Sequence, residues 1–301
     1  MGGDPVKLEL SALAETRQVR ATNPDPARRG LRAGIRERYR RRLDARASAL
    51  AEPALGELAV VFAPHFDDET LGCGGTIVRK RAAGADVYIA WMTDGGLSHR
   101  TLMAPAELAA RRAAEGRTAA AVLGIDEDHL FFLSFPEGAL GRYEPEAAIR
   151  VAEVLRTVRP REIYVPYARD PQSDHVVTYR AVLAGLRMSR LEAVTIYEYP
   201  IWLWAHWPNV WASGSGGRRW RCVLRGLRDS LLMMRDFTRA VKVDSVLGTK
   251  QAALAAHQTQ MTRVIRDARW LTLSDVFGGD FLSSFFDGYE RFKPTFFQRA
   301  S

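Results

Sequence analysis

The stretch VVFAPHFDDETLGCGG, residues 60–75, joins an apolar run to a dense group of polar side chains. The apolar residues that precede Pro64 predict a short buried strand over 58–63. One histidine and three acids then follow within five residues, and a glycine-rich segment comes next. Because like charges repel most strongly where water is excluded, this much negative charge at the end of a buried strand calls for a positively charged partner.

The rest of the chain alternates between strand-like and helix-like segments. Short apolar runs predict further strands at 86–93, 129–134, 162–167 and 193–199. Helical segments are predicted between them, at 70–83, 105–123, 144–158 and 174–187. Strands that alternate with helices are typical of an α/β fold, a mostly parallel sheet with helices on both faces.

Three regions are expected along the chain. Residues 1–50 form an Arg-rich helical extension, and residues 51–200 form the α/β core. Residues 201–301 carry a Trp-rich insertion, a helix over 246–262 and an aromatic tail, and we expect them to complete the same domain. The insertion could be an aromatic lid over a substrate, but packing in a core or an interface is the interpretation that we favour.

The composition is that of an ordinary globular protein, with 47% apolar residues among 301. No uninterrupted apolar window of about 18 residues is present, so we expect no membrane span. The first residues lack the apolar core and the cleavage site of a signal peptide. Two cysteines, Cys73 and Cys222, do not make a disulfide framework, and we interpret Cys73 as a packing residue. A cytoplasmic protein is therefore expected.

Positive charge is concentrated near the N-terminus. The chain has a net charge of +8, and eleven arginines lie between Arg17 and Arg46 against three acids. Such a segment could contact an anionic partner such as nucleic acid or a membrane surface. It could equally be the solvated face of a helix that lies on the domain, and we favour this second interpretation.

Polar clusters follow three of the predicted strands at their carboxyl ends. They occupy residues 65–69, 94–99 and 170–175. In an open α/β sheet, ligands bind beyond the carboxyl ends of the strands. We therefore expect these clusters, although distant in sequence, to meet at one edge of the sheet.

Imidazole and carboxylate groups that meet in this way are typical of a metal site, and this ligand set suits zinc. His65 and Asp68 are three residues apart and could bind one ion from a turn that enters a helix. His175, at the start of a later helix, would be the third ligand. Three protein ligands leave a coordination position for water, as in catalytic sites. Asp67 would lie beside that water and act as general base.

Helix capping is the simpler interpretation of each cluster taken alone. Acids at the start of a helix usually cap it or interact with its dipole. The occurrence of a histidine in both clusters, at equivalent strand ends, favours the metal.

The motif Ala-Pro-His-Phe-Asp-Asp-Glu, followed by Leu-Gly-Cys-Gly-Gly, resembles the signature of the PIG-L/LmbE-like de-N-acetylase family, usually Pro-His-Pro-Asp-Asp-Glu. The later element from Asp170 to His175 resembles that family's Asp-Pro-His-Pro-Asp-His, and the similarity runs over about 58–187. The pattern Lys250-x-x-Ala253-x-x-x-His257-x-Thr-Gln260 also resembles a helix of some bacterial members.

The resemblance implies a Rossmann-like fold, a zinc ion and hydrolysis of the N-acetyl group of an N-acetylglucosamine-type sugar or glycoconjugate. By position, His65, Asp68 and His175 match the zinc ligands, and Asp67 matches the base that activates water. Asp174 would orient an imidazole or the base.

The resemblance also gives roles to residues outside the metal ligands. Arg112, in Arg-x-x-Glu with Glu115, matches a motif whose arginine contacts substrate, and Glu137 falls where the family often has an acid that binds sugar hydroxyls. Phe66 replaces a proline, and Gln172 replaces a histidine that helps to stabilise the oxyanion. Three outcomes are open: Gln172 acts as a neutral donor, another group (His99, His206 or His257) takes over, or activity is reduced.

Two other functions remain as alternatives. His65, Asp67 and His175 could form the facial triad of a non-haem Fe2+ oxygenase, although that chemistry normally occupies an all-β barrel. The chain could also bind nucleic acid or an anionic surface beside a degenerate site. We favour the hydrolase with a small-molecule amino-sugar substrate and no nucleic-acid partner, and leave a homo-oligomer open.

Overall fold

The computed structural model describes residues 26–206, 208–210 and 217–299. Predictions for residues 1–25, Trp207 and Trp211 lie outside the described residues, and the side chains of 26–29 and 217–223 are likewise not described. The strands are β1 (Ser48–Ala49), β2 (Ala59–Ala63), β3 (Val87–Thr93), β4 (Leu130–Phe135), β5 (Glu162–Pro166), β6 (Ala193–Tyr199), β7 (Arg239–Lys242) and β8 (Tyr289–Gln298). The helices are α1 (Pro26–Arg46), α2 (Glu52–Leu55), α3 (Asp68–Ala82), α4 (Pro105–Val122), α5 (Glu144–Val158), α6 (Ser173–Ser189), α7 (Gly217–Asp236), α8 (Leu247–Ala256), α9 (Gln258–Met261) and α10 (Asp280–Ser283).

The described strands form one sheet in the order β1-β7-β8-β6-β5-β2-β3-β4. The five strands from β4 to β6 in this order are all parallel to one another, and β8 runs antiparallel to both of its neighbours. The predicted α/β fold with a mostly parallel sheet is therefore confirmed.

The strand order changes direction between β2 and β5. The chain adds β3 and β4 on one side of β2, and later adds β5 and β6 on the other side. Pairing of Val60 with Ile163 sets the register of these two central strands. The connections that leave their carboxyl ends diverge to opposite sides, which opens a crevice there, and such switch points are where α/β sheets bind ligands.

Strand β2 is buried on both faces, which explains why it is apolar throughout. Val60 and Phe62 pack in a core together with α5 and α6, and Val61 packs in a second core on the opposite face. Side chains alternate between the two faces of a strand, so a strand covered by helices on both sides needs apolar residues at every position.

The predicted core elements from 58 to 199 agree with the structure within about two residues. The predicted helix over 246–262 is instead two helices, α8 and α9, because His257 departs from helical geometry between them. The aromatic tail, which had no predicted structure, forms β8 and lies between β6 and β7.

Helix α1 lies on the domain through a partly apolar face. Tyr39 and Leu43 are buried in the main core. Arg36 forms an ion pair with Asp280 at 2.9 Å, on the C-terminal part of the chain. This packing agrees with the interpretation of a helix that rests on the domain. Within the ranges given above, none of the helices combines the length and the apolar character needed to cross a bilayer.

Candidate metal centre

The loops after β2 and β5 bring the three predicted metal ligands together at the switch point. One ligand atom from each of His65, Asp68 and His175 lies within 4.8 Å of the others. Asp68 Oδ2 is the shared neighbour, 3.1 Å from His65 Nδ1 and 3.2 Å from His175 Nε2. The two imidazole centroids are 5.3 Å apart. Side chains separated by more than a hundred residues thus converge on one point, as the strand-end argument predicts.

The second nitrogen of each imidazole faces another carboxylate. Asp174 Oδ2 is 3.4 Å from His65 Nε2, and Asp170 Oδ1 is 3.3 Å from His175 Nδ1. The backbone N–H groups of Gly138 and Trp202 bind Asp174 and Asp170, at 2.6 Å and 2.9 Å. Carboxylates in this position fix the orientation of metal-binding histidines.

The surroundings of His175 show whether the residues present could bind a cation. Its side chain is fully buried, and neither ring nitrogen has a hydrogen-bond partner of acceptable geometry among the described residues. The carboxylates of Asp68 and Asp170 are close but poorly aligned. A buried imidazole without a hydrogen bond is costly, whereas a cation at the point shared with Asp68 would satisfy Nε2. The residues therefore fit a divalent metal ion.

The carboxylates around both imidazoles favour positive charge at this point. Burial lowers the pKa of His175, but Asp68 and then Asp170 outweigh it and raise that pKa to about 9. Burial also opposes ionisation of Asp68, but His175 and His65 together outweigh burial and lower the pKa of this carboxyl. Without metal the positive charge is a proton, and a bound cation would replace it.

Asp67 directly precedes the candidate ligand Asp68 and adopts an unusual backbone conformation, with φ of 117°. Its carboxylate accepts a hydrogen bond from Gln260 Nε2, on α9. Burial, followed by the charges of Asp68 and Glu69, raises the pKa of Asp67 well above its usual value. Asp67 occupies the N-cap position of α3, but its side chain caps no N–H of the first turn, so capping does not explain this residue.

Gln172 is the residue that caps α6. Its Oε1 accepts a hydrogen bond from the backbone N–H of His175 at 3.0 Å. Because the amide oxygen is engaged in this way, the amide nitrogen faces the site, 3.4 Å from His65 Nε2. Gln172 therefore presents a neutral N–H donor at the position where the resembling family has histidine.

Arg112 and Glu137 both bind the loop that follows β3. The Arg112 guanidinium donates to Gly95 O and Ser98 Oγ, at 2.9 and 2.8 Å, and Glu137 Oε2 accepts from the N–H of Leu97 at 2.6 Å. Arg112 is buried, and its Nη1 lies 3.6 Å from Glu137 Oε1. The contacts of Arg112 and Glu137 with substrate stay a prediction. In the structure, both residues hold the loop after β3 in place.

The remaining predicted candidates have partners elsewhere. His99 bonds to Leu271 O, and His206 pairs with Asp229. His257 Nε2 lies 2.9 Å from Glu69 Oε1. None of these three imidazoles lies in the cluster around His65. None of them therefore takes the place of the family's histidine that Gln172 replaces.

Two of the tryptophans and Cys73 are packing residues in the structure. Trp204 is buried in the main core, and Trp202 stacks on Phe281 with centroids 5.0 Å apart. Cys73 is buried, and burial raises the pKa of its thiol, which makes a nucleophilic role unfavourable. The aromatic-core interpretation holds for the described part of the insertion.

Sequence reasoning did not select Asp170, Glu69 or Gln260 as site residues. Asp170 and Glu69 lie inside clusters that were recognised, but only the fold reveals which atom each faces. Gln260 lies in the third motif, and that pattern was the one signal that could have identified it.

Comparison with known proteins agrees with this geometry. Residues 60–186 match the family described as PIG-L: GlcNAc-PI de-N-acetylase. A 1D-myo-inositol 2-acetamido-2-deoxy-alpha-D-glucopyranoside deacetylase of Rhodococcus jostii (strain RHA1) is 30% identical in an alignment 252 residues long, which covers 70% of this chain and 84% of that protein.

Solved structures with the same fold include enzymes of two kinds. The N,N'-diacetylchitobiose deacetylase from Pyrococcus horikoshii is 17% identical with a TM-score of 0.55, over 91% of this chain and 94% of that one. GalB, the 4-carboxy-2-hydroxymuconate hydratase from Pseudomonas putida KT2440, is 16% identical with a TM-score of 0.51, over 81% and 98%. At these identities the likeness concerns the fold alone.

The structure does not favour the iron-oxygenase alternative, because the candidate ligands lie on a mostly parallel α/β sheet and the carboxylate that joins the two histidines is Asp68, not Asp67. The sequence match to the Rhodococcus enzyme spans most of both proteins, and the family match over residues 60–186 includes the motifs that hold the cluster. The residues at the switch point and this sequence match together show that the chain belongs to the PIG-L family of de-N-acetylases.

Proposed function

We propose that the protein is a metal-dependent hydrolase that removes the N-acetyl group from an N-acetylglucosamine-type sugar or glycoconjugate. The observation that carries this proposal is the convergence of His65, Asp68 and His175 on one point, with Asp67 at the N-cap of the helix that begins with Asp68. Membership of a de-N-acetylase family supports the reaction class.

His65, Asp68 and His175 would hold the metal through Nδ1, Oδ2 and Nε2, the atoms that approach one another most closely. Zinc is the ion that best suits two imidazoles and one carboxylate. When bound, it would supply a Lewis acid for the amide carbonyl and lower the pKa of water. Asp174 and Asp170 would keep the two rings oriented.

Asp67 would act as general base. Its Oδ2 is engaged by Gln260, and no hydrogen bond from the described residues reaches Oδ1. Oδ1 would accept the proton of the attacking water. A raised pKa favours this role, because a base is most effective when its pKa approaches the working pH.

Gln172 would donate a hydrogen bond to the substrate oxygen as negative charge develops on it. Its orientation is set by the cap at the start of α6, so the donor is in place before substrate binds. A neutral amide cannot carry a charge, and a donor of this kind is typically worth about 100-fold to 1000-fold in rate.

The substrate class follows from the relatives. The Rhodococcus protein is named for a 2-acetamido-2-deoxyglucopyranoside of inositol, and the Pyrococcus enzyme for diacetylchitobiose. N-acetylglucosamine is common to both, so a small amino sugar of this type is the proposed substrate here. A cytoplasmic location, where the buried Cys73 would stay reduced, and a homo-oligomer remain predictions.

The proposal is tested by metal analysis of the purified protein together with acetate release from a panel of N-acetylglucosamine derivatives. We expect about one equivalent of zinc and release of acetate with a free amine. Because a hydratase shares this fold, the panel must be scored by acetate and not by loss of substrate. Metal-loaded protein that releases no acetate from any amide would reject the hydrolase.

A further inference from the structure

Asp67 is held in a conformation that it would not adopt unaided. Its φ of 117° and ψ of −29° lie in a region that side-chain-bearing residues avoid. Such a conformation costs about 1–3 kcal/mol and persists only where the surroundings determine it. The groups that bind Asp67 are therefore part of what places its carboxylate.

The backbone of Asp67 is held by Glu69. The Asp67 N–H donates to Glu69 Oε2 at 3.1 Å, and Glu69 is fully buried. Glu69 is itself fixed by Trp91 Nε1 at 2.9 Å and by Thr70 Oγ1 at 2.6 Å. His257 Nε2 approaches the same carboxylate at 2.9 Å. A neighbour on the same helix and two distant parts of the chain, β3 and the α8–α9 junction, thus fix the acceptor that holds the strained residue.

The side chain of Asp67 is held by Gln260. Gln260 Nε2 donates to Asp67 Oδ2, although 193 residues separate the two positions. Both side chains are buried. A neutral amide is suited to this contact, because it fixes the direction of the carboxylate without the opposing charge that would lower its proton affinity. Asp67 Oδ1 stays available to the site.

Helix α9, which carries Gln260, is itself anchored on both sides. The Thr259 N–H and hydroxyl both donate to Glu115 on α4, at 3.0 and 2.7 Å. Trp270 Nε1 donates to Thr259 O at 3.0 Å. Gln260 therefore projects from a rigid support, and a rigid support is what a positioning group requires.

We propose that Gln260 is a positioning residue for Asp67, and that Glu69, supported by His257, fixes the backbone of the same residue. Together they aim Asp67 Oδ1 at the position of the attacking water. The inference rests on the proposed function, in which Asp67 is the base. It also assigns a role to the third motif, since His257 and Gln260 are the residues of that motif that contact Glu69 and Asp67.

The test compares Gln260→Met and Gln260→Glu with Gln258→Met. Methionine keeps the length and removes the donor, whereas glutamate keeps the shape and replaces the donor by an acceptor that repels Asp67. Gln258 lies on the same short helix and is exposed, so the same substitution there is a matched control. The measurements are kcat, KM, metal content and a crystal structure of each variant.

For both Gln260 variants we expect kcat to fall by about 10-fold to 100-fold, because a displacement of 1 Å in a catalytic group can cost 100-fold. KM and bound metal should stay at wild-type values, and the crystal structures should show the Asp67 carboxylate displaced. Gln258→Met should match the wild type throughout.

Three results would overturn the positioning role. They are wild-type kcat in both Gln260 variants, an Asp67 carboxylate that stays in place, and loss of metal or folding in proportion to the loss of rate. Wild-type protein that releases no acetate would reject the proposed hydrolase instead. The crystal structures still decide in that case whether Gln260 places Asp67.

Discussion

The side-chain oxygen of Gln172 caps the helix that carries His175, accepting the backbone N–H of that histidine at 3.0 Å. One amide thus orders the start of α6 and turns its nitrogen toward His65. The residue that departs from the family's usual histidine is therefore integrated into the local structure.

Substitutions of Gln172 should separate its contribution to stability, as the cap of α6, from its contribution to rate, as a hydrogen-bond donor. Gln172→Ala removes the cap and the donor, so we expect a loss of about 1 kcal/mol of stability and a fall in kcat. Gln172→His restores the family pattern and should preserve or raise kcat. Thermal unfolding and acetate-release kinetics measure the two effects. A collapse of activity in Gln172→His would mean that the glutamine has a role peculiar to this chain.

Substitutions in the cluster should distinguish ligands from the base. His65→Ala and Asp68→Ala each remove an atom within 4.8 Å of the other two ligand atoms, and both should lose bound metal. Asp67→Asn should keep the metal and lose turnover, because an amide cannot accept the proton. Metal analysis and kinetics of the same preparations report both properties.

Glu146→Ala is the control for the cluster substitutions, since Glu146 is an exposed acid that belongs to no candidate group of metal ligands among the described residues. It should retain both metal and rate. If Asp67→Asn hydrolyses substrate at the wild-type rate, the base has been assigned to the wrong residue.

A buried ion pair behind the site should matter for stability. Lys250 Nζ lies 2.7 Å from Glu290 Oε1, with side-chain exposures of 0% and 3%. Lys250→Met leaves Glu290 buried without its cation, which typically costs 3–5 kcal/mol. We expect about 3 kcal/mol, because the N–H groups of Gly75 and Thr76 still bind Glu290. Urea unfolding gives the value.

Lys242→Met is the matched control for this pair. Lys242 lies 3.5 Å from Asp244, but its side chain is 64% exposed, so the change should cost less than about 1 kcal/mol. Equal losses at Lys242 and Lys250 would show that burial does not strengthen the interaction.

Gly72 should tolerate no side chain. A Cβ at this position would lie 2.4 Å from Tyr199 Cδ2, and the Tyr199 hydroxyl is fixed to Phe62 O at 2.8 Å. Gly72→Ala should therefore destabilise the protein by about 1–3 kcal/mol. At Gly248, also helical, a Cβ meets nothing within 4 Å, and Gly248→Ala should stabilise by about 0.4–1 kcal/mol. Chemical denaturation of both variants tests the opposite signs.

The α/β core and the group of candidate metal ligands were predictable because their sequence signals are local. Apolar runs such as the one before Pro64 identify strands, and strand ends in a parallel sheet share one edge. Topology then brings His65 and His175 together without any knowledge of distances. The position of each residue in its own element was enough.

The support of Asp67 was not predictable in the same way. Gln260 and Asp67 meet across 193 residues, through a break at His257 that hydrophobic periodicity does not mark. Strand β8 was missed for a related reason, since its aromatic residues fit a strand only once β6 and β7 are placed beside it. Contacts of this kind depend on the assembled fold.

Strand β8 also has a consequence for biosynthesis. Glu290, on that strand, binds the Gly75 and Thr76 N–H groups of the helix whose first turn carries Asp68. A nascent polypeptide therefore exposes the central strands and the acidic turn long before the strand that fastens them leaves the ribosome. The fold around the acidic turn is complete only after β8 has been translated, 214 residues after Thr76, and until then the exposed apolar strands are surfaces that chaperones recognise.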